Sequence, residues 1–151
     1  ITLFSRFDEE HLLKGLATAI DRGKTIPLAV CGLHMRGLAL EHQMLQCQAT
    51  FSYQTTTAST YRLYQLATEP AKPGLVRSTD GVAIEVEVWD MPVAQLGTFL
   101  QQIPAPLGIG KVQLVNGLEV LGFICEPDAI EQALDISYTG GWRYRETESI
   151  E

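Results

Sequence analysis

The sequence of 151 residues contains no apolar run near the ~20 residues that a membrane-spanning helix needs. Its start has neither a methionine nor the basic-then-apolar pattern of a secretory signal. Internal repeats, low-complexity segments and long linkers are also missing. We therefore expect one domain of a longer protein, large enough to bury a real core and without a membrane partner.

Cysteine is scarce. The three thiols, Cys31, Cys47 and Cys125, lie in apolar stretches at irregular spacing. An odd number at such spacing does not form a disulfide framework and favours a reducing cytoplasm. The spacing of Cys31 and His34, even with Cys47 or His42 added, lacks the paired ligands of a zinc site. We expect free buried thiols and no metal.

Positive charge is also scarce, since 11 Lys and Arg residues stand against 18 Asp and Glu residues, for a net charge of −7. This balance argues against nucleic acid as a partner. Residues 1–29 are neutral overall, residues 30–77 carry four cations and two anions, and residues 78–151 carry three cations and twelve anions. The central segment is therefore the one positive region, which favours a small anionic ligand there.

This central region contains the stretch that best fits a chemical site. An apolar run over residues 26–31 predicts a buried strand, and Gly32, His34, Arg36 and Gly37 follow it directly. The glycines permit tight bends and the close approach of a ligand. A titratable imidazole and a fixed cation two residues apart, on a loop held by a core strand, form a candidate site. The alternative is a hydrogen-bonded structural histidine beside an ordinary surface arginine.

The apolar patterns along the rest of the chain predict an α+β fold. Helices are expected near residues 8–23, 37–46, 93–103 and 127–134. Strands are expected over residues 47–54, 61–66, 75–77, 82–89, 111–115, 118–125 and 135–137, with turns at 72–74 and 80–81 and a hairpin at Asn116-Gly117. We expect a small mixed or antiparallel β-barrel with short helices.

Three charged side chains lie on strands that are otherwise apolar. Arg62 needs an anionic partner, so a structural salt bridge and a ligand clamp both stay open. Glu85 and Glu87 lie on the face of their strand opposite the core. We expect at least one of them to be exposed to solvent. The alternative is a carboxylate that turns inward and orients His34 or an arginine.

Six segments in order resemble the C-terminal domain of allophanate hydrolase. They are Gly32-Leu33-His34-Met35-Arg36-Gly37, Tyr61-Arg62-Leu63-Tyr64, Lys72-Pro73-Gly74-Leu75-Val76-Arg77, Ile84-Glu85-Val86-Glu87-Val88-Trp89, Ile103-Pro104-Ala105-Pro106-Leu107-Gly108-Ile109-Gly110 and Gly140-Gly141-Trp142-Arg143. The resemblance implies a γ-glutamylcyclotransferase-like fold. Residues 26–145 would form the domain, residues 1–25 a helix or linker from a preceding domain, and residues 146–151 a frayed tail.

In that family a separate amidase domain deaminates allophanate, and its Gly/Ser-rich signature is absent from this sequence. The chain alone is therefore expected to lack amidase activity. The resemblance implies that this domain converts the amidase product, N-carboxycarbamate, to carbon dioxide and carbamate, and ultimately ammonia, in cytoplasmic urea-amide breakdown. The amidase, on the same or a separate chain, would be its partner. The oligomeric state stays open, a homo-oligomer included.

The resemblance places the catalytic histidine at His34. Because the substrate would be a small dianion, several cations should bind it, and neighbouring backbone and side chains should complete the site. The expected substrate-binding residues are Gly32, Leu33, Arg36, Tyr61, Arg62, Lys72, Gly108 and Arg143. No phosphate-binding glycine motif is present, and no cofactor is expected.

Two other functions stay open. The first is a non-catalytic domain that organises the amidase, since N-carboxycarbamate is reactive and needs little catalysis. The second is a cyclotransferase-like enzyme that acts on another amide. Cyclotransferases of this fold use a carboxylate base beyond the strand that ends near Trp89. This chain has Gln101, Gln102 and a proline-rich loop there, which argues against cyclotransferase activity.

Overall fold

The computed structural model describes residues 23–146. The helices of this part are α1 (Glu41–Gln46) and α2 (Val93–Gln101), with 3₁₀ turns at Pro127–Ile130, Ser137–Thr139 and Trp142–Tyr144. None of its helices is long and apolar enough to span a membrane. The strands are β1 (Thr25–Val30), β2 (Thr50–Thr56), β3 (Tyr61–Leu66), β4 (Lys72–Arg77), β5 (Glu85–Pro92), β6 (Leu107–Gln113), β7 (Glu119–Cys125) and β8 (Leu134–Asp135). The helix expected near residues 8–23 and most of the expected tail lie outside the described residues.

The larger sheet has five strands in the order β2-β5-β1-β7-β6. β1 pairs antiparallel with β5 and parallel with β7, so the sheet is mixed, and the α+β prediction is confirmed. β6 and β7 form an antiparallel hairpin around Asn116-Gly117, where Gly117 adopts a φ of 88°. A positive φ is the conformation that this tight turn requires and that glycine adopts without strain.

The second sheet has three antiparallel strands in the order β4-β3-β8. The predicted barrel is therefore wrong in one respect, because it does not close. The edge strands of the larger sheet meet only at one end, through a single bridge between Thr57 and Leu114. Past this bridge the chain leaves the larger sheet, and β3 pairs with β4 instead.

The predicted turn at residues 72–74 is also wrong, since these residues begin strand β4. Pro73 cannot donate a ladder hydrogen bond, and proline is tolerated in a sheet chiefly on edge strands. β4 is an edge strand that pairs with β3 on one side only. The local proline-glycine signal was therefore overridden by the position of this strand in the sheet.

Strand β5 is buried on both faces, which overturns the expected exposure of its carboxylates. Glu85 is 8% exposed and Glu87 is 1% exposed. The loop after β1 and the C-terminal turn, which contribute Arg36 and Arg143, cover this face of the strand. The alternative reading, an inward carboxylate that orients an arginine, is the one that the structure has.

Candidate functional site

A tight loop follows β1 and carries His34. The backbone N–H of Met35 donates to the carbonyl of Gly32 (3.0 Å), and that of Leu40 donates to the carbonyl of Leu33 (2.8 Å). Gly32 packs directly against β4, since a Cβ at this position would lie 2.1 Å from Cγ of Pro73. No larger residue fits there without displacing the proline. The glycine therefore brings the loop of the first sheet against the edge of the second.

The His34 imidazole is held on several sides. Its Nε2 lies 2.7 Å from Oε1 of Gln43 on α1. The ring stacks on Phe123 with centroids 4.9 Å apart, and it meets Phe99 edge-on at 5.4 Å. Burial lowers the pKa of His34, the hydrogen bond with Gln43 opposes this effect, and charge on His42 lowers the pKa further. The imidazole is therefore neutral at pH 7 when no anion is near it.

His34 lines a cavity of about 270 Å³ between the two sheets and the end of α2. Four polar side chains line it, namely His34, Gln43, Lys72 and Gln102, and no Asp or Glu of the described chain does. The backbone of Gly32 and the thiol of Cys31 also line it. Nine side chains make the rest of the wall apolar: Leu33, Ala39, Leu40, Pro70, Pro73, Ile103, Pro104, Leu107 and Phe123.

Cys31 is no nucleophile at neutral pH. Burial, with a further contribution from Cys125, raises the pKa of the Cys31 thiol to about 12. The thiolate is the reactive form of cysteine, and it is not populated at such a pKa. Cys31, Cys47 and Cys125 are all free thiols. No cluster of three or more His, Cys, Asp or Glu residues within residues 23–146 has metal-binding geometry.

Arg36 and Arg143 lie outside the cavity and bind the buried carboxylate of Glu87. The backbone N–H of Arg36 donates to Oε1 of Glu87 (2.9 Å), and its Nε donates to Oε2 (3.2 Å). Nη2 of Arg143 donates to the same Oε2 (3.1 Å). The Arg36 guanidinium also lies over the Phe51 ring, 3.5 Å from its centroid. Both arginines therefore neutralise an internal anion and fix the His34 loop to β5 and to the C-terminal turn.

The remaining predicted residues are also used structurally. Arg62 forms an ion pair with Asp135 at 2.7 Å, which is the salt-bridge alternative. Tyr61 is 1% exposed, and its hydroxyl accepts hydrogen bonds from Arg77 and from the backbone of Gln113. Neither of these residues lines the cavity, and Gly108 does not line it either.

The structure thus brings together four of the nine predicted site residues, Gly32, Leu33, His34 and Lys72. Sequence reasoning missed Gln43, which follows His34 by nine residues on the next helix. A polar side chain one helix after a candidate histidine is a signal that could have found it. Phe99 and Phe123, which pack on the imidazole, had no such signal, because long-range pairing decides which aromatic residues meet.

The family model for the allophanate hydrolase C-terminal domain matches residues 26–146. The chain belongs to this family. Urea amidolyase of Saccharomyces cerevisiae is 38% identical over 129 residues, which cover 82% of this chain and 7% of that protein. The chain therefore spans less than a tenth of the length of the curated relatives that it matches.

The comparison with solved structures supports the same family. Allophanate hydrolase of Kluyveromyces lactis superposes with a TM-score of 0.77 at 39% identity, covering 80% of this chain and 21% of that one. A protein specific to uropathogenic E. coli superposes with a TM-score of 0.75 at 36% identity, covering 80% of this chain and 94% of that one. An AIG2-like protein of Mus musculus, at 18% identity and a TM-score of 0.54, shares the fold alone.

Proposed function

We propose that this allophanate hydrolase C-terminal domain converts N-carboxycarbamate to carbon dioxide and carbamate in the cavity at His34. One observation carries the proposal: a protonatable imidazole and a lysine line the same small cavity, whose wall is mostly apolar. A dianion that must gain a proton to react needs a cation to hold it and an acid to protonate it. His34 and Lys72 supply these two groups.

The reaction consumes one proton for each carbon dioxide released. The bond between nitrogen and one carboxylate carbon breaks, its electron pair stays on nitrogen, and nitrogen takes the proton as carbamate forms. We assign delivery of this proton to His34, since histidine titrates nearest to neutral pH. Burial keeps the free imidazole neutral. A bound dianion favours its charged form, so His34 gains its proton as the ligand binds.

Lys72 replaces the predicted arginines as the main anion-binding residue. It is the only Lys or Arg that lines this cavity within the described part of the chain. Lys72 pairs with one carboxylate, and the second carboxylate lies among mostly apolar side chains until His34 is protonated. A carboxylate without a fixed cation is costly in such surroundings, whereas carbon dioxide is neutral. With a cation on one side of the cavity and apolar side chains on the other, the carboxylate that Lys72 does not bind is the one expected to leave as carbon dioxide.

A non-catalytic assembly role is the second candidate. The observation that favours it is the internal pairing of Arg36, Arg62 and Arg143, which leaves the cavity with one cation for a doubly charged ligand. A cyclotransferase activity is less well supported. Gln102 lines the cavity near the position where such enzymes place a carboxylate base, and no Asp or Glu of residues 23–146 replaces it there.

The test is carbon dioxide release from N-carboxycarbamate generated by an isolated amidase domain, with and without this chain. We expect the chain to accelerate release, and His34→Asn to reduce the added rate by ~10²–10⁴-fold. Gln46→Asn is the control, because Gln46 is exposed and lies outside the cavity. The chain alone should release no ammonia from allophanate. Undiminished acceleration by a folded His34→Asn variant, or no acceleration by the wild type, would favour the assembly role.

A further inference from the structure

We propose that Gln43 is a positioning residue that fixes the His34 imidazole in one tautomer and leaves Nδ1 as the atom that exchanges the proton. The contact that carries this inference joins Nε2 of His34 to the side-chain oxygen of Gln43 over 2.7 Å. An amide oxygen accepts hydrogen bonds and cannot donate them. Nε2 must therefore carry the hydrogen, and in the neutral ring Nδ1 has the lone pair.

The other ring nitrogen is reachable. Nδ1 of His34 has no hydrogen-bond partner within residues 23–146, where the one polar contact of the ring is that of Nε2. In the same residues, no fully buried side-chain nitrogen or oxygen lacks a hydrogen bond. Nδ1 is therefore not sealed in the interior, and the open space that His34 lines is the cavity. A ligand there meets the nitrogen that can gain and lose a proton.

Gln43 is well placed to hold the ring because its helix is tied to the His34 loop. The backbone N–H of Leu40, just before α1, donates to the carbonyl of Leu33 (2.8 Å). Met44, next to Gln43, is fully buried and anchors the helix in the core. The ring itself is stacked on Phe123. The stack fixes the plane of the imidazole, and the hydrogen bond selects one of its two flipped orientations, so one orientation is kept.

The surroundings of the ring are poor in charge. Gln43, Phe99 and Phe123 are neutral, and Lys72 and Cys31 are the ionisable groups that share the cavity with it. The thiol of Cys31 stays protonated at neutral pH, as its raised pKa requires. His42, beside Gln43, lowers the pKa of His34 when charged. Within residues 23–146, the amide of Gln43 is thus the one contact that raises this pKa, and it does so without adding a charge.

The consequence for the reaction rests on the proposed function. When the dianion binds, Nδ1 takes up a proton while the Nε2–H group stays hydrogen-bonded to the side-chain oxygen of Gln43. Nδ1–H then delivers that proton to the ligand nitrogen as the C–N bond breaks. The tautomer itself can be measured without any substrate, so the two claims can fail separately.

The experiment is nitrogen-15 NMR of the His34 side chain over a pH titration. The wild type should show a protonated, pyrrole-like Nε2 and an unprotonated, pyridine-like Nδ1. Gln43→Leu should mix the two tautomers and shift the pKa of His34 further down. Gln43→Glu, which restores an acceptor and adds a negative charge, should keep the tautomer and raise that pKa. Gln46→Leu, an exposed change on the same helix, is the control and should alter neither.

Two results would overturn the inference. One is a wild-type tautomer with the hydrogen on Nδ1, which would mean that the amide N–H of Gln43 donates to Nε2. The other is a folded Gln43→Leu variant with the tautomer and pKa of the Gln46→Leu control. If Gln43→Leu does not fold, Gln43→Glu decides, since an unchanged His34 pKa in that variant also refutes the contact. If a variant with an altered tautomer released carbon dioxide as fast as the wild type, the proposed function would be contradicted and the tautomer assignment would stand.

Discussion

Replacement of Glu87 by glutamine should destabilise the domain, because one buried carboxylate joins three segments. Oε1 of Glu87 accepts hydrogen bonds from the backbone N–H of Arg36 (2.9 Å) and from Nε1 of Trp89 (3.2 Å). Oε2 accepts from Nε of Arg36 (3.2 Å) and Nη2 of Arg143 (3.1 Å). A glutamine keeps an acceptor at one of these positions only. Its amide N–H₂ group then faces two donors at the other position.

The expected loss of stability depends on how exposed the two arginine partners of Glu87 are. Removal of one partner from a fully buried ion pair costs ~3–5 kcal/mol. The side chains of Arg36 and Arg143 are 45% and 30% exposed, so water can replace part of the hydrogen bonding that they lose with the carboxylate. We expect Glu87→Gln to lower the free energy of unfolding by about 2–4 kcal/mol. In a domain of this size that corresponds to a fall in melting temperature of roughly 5–15 °C.

The pH dependence gives a sharper check. Burial alone would raise the pKa of Glu87, but hydrogen bonds from Arg36, Trp89 and Arg143 lower it below its ordinary value. A carboxyl whose pKa is lowered by folding stabilises the fold above its unfolded pKa, and this contribution is lost as the pH falls through the folded pKa. The stability difference between wild type and Glu87→Gln should therefore be constant near pH 7 and shrink below about pH 4.3.

Urea unfolding across this pH range measures both effects. Glu119→Gln is the matched control, since Glu119 is an exposed carboxylate on strand β7 of the same sheet and should change stability by less than ~0.5 kcal/mol. If Glu87→Gln were as stable as wild type at pH 7, the buried carboxylate would not hold these segments together. A difference that stays constant in acid would refute the assigned pKa shift.

Two further substitutions test the packing of the site and the role of the third arginine. Gly32→Ala should lower the free energy of unfolding in urea by about 1–3 kcal/mol, because the new Cβ would overlap Pro73. Gly108→Ala is the control and should be nearly neutral, because a Cβ there has nothing within 4 Å. Equal effects would contradict the close approach of the loop to β4. Arg62→Met should change the stability in urea unfolding little, since the side chains of its ion pair with Asp135 are 31% and 36% exposed. It should also leave the binding of malonate, a stable dicarboxylate, unchanged, and weakened malonate binding would place this arginine in the site.

Much of the fold could be predicted from local patterns. Strand β3 runs from Tyr61 to Leu66, as the alternation there predicts, and Asn116-Gly117 does close a hairpin. The open barrel and the strand through Pro73 could not be predicted, because both depend on which strands pair. A sequence shows that a segment is extended without showing whether it lies at an edge or in the centre of a sheet.

In the candidate site, too, local patterns in the sequence indicate some residues, whereas the roles of others depend on contacts between distant parts of the chain. His34 could be proposed as a candidate because a glycine, a histidine and an arginine directly follow a core strand. The roles of Arg36 and Arg143 could not, because their partner Glu87 is 51 and 56 residues away in the chain. A charge count over residues 30–77 correctly shows a positive segment, but it cannot show that an anion of the same domain neutralises it. Lys72, the lysine that lines the cavity, is one of four predicted cations, and no local pattern separates it from Arg36, Arg62 and Arg143.

The most direct measurement is the binding of malonate, a stable dicarboxylate, to the wild type, Lys72→Met and Lys111→Met. If the cavity at His34 holds the anion, Lys72→Met should weaken binding by about 10- to 100-fold, the usual effect of losing one charged hydrogen bond. Lys111→Met, an exposed change outside the cavity, should leave binding unchanged. A crystal soaked in malonate should show the dicarboxylate between His34 and Lys72. Malonate bound at Arg36 and Arg143 instead, with an affinity that Lys72→Met does not alter, would contradict the assignment of this cavity as the active site.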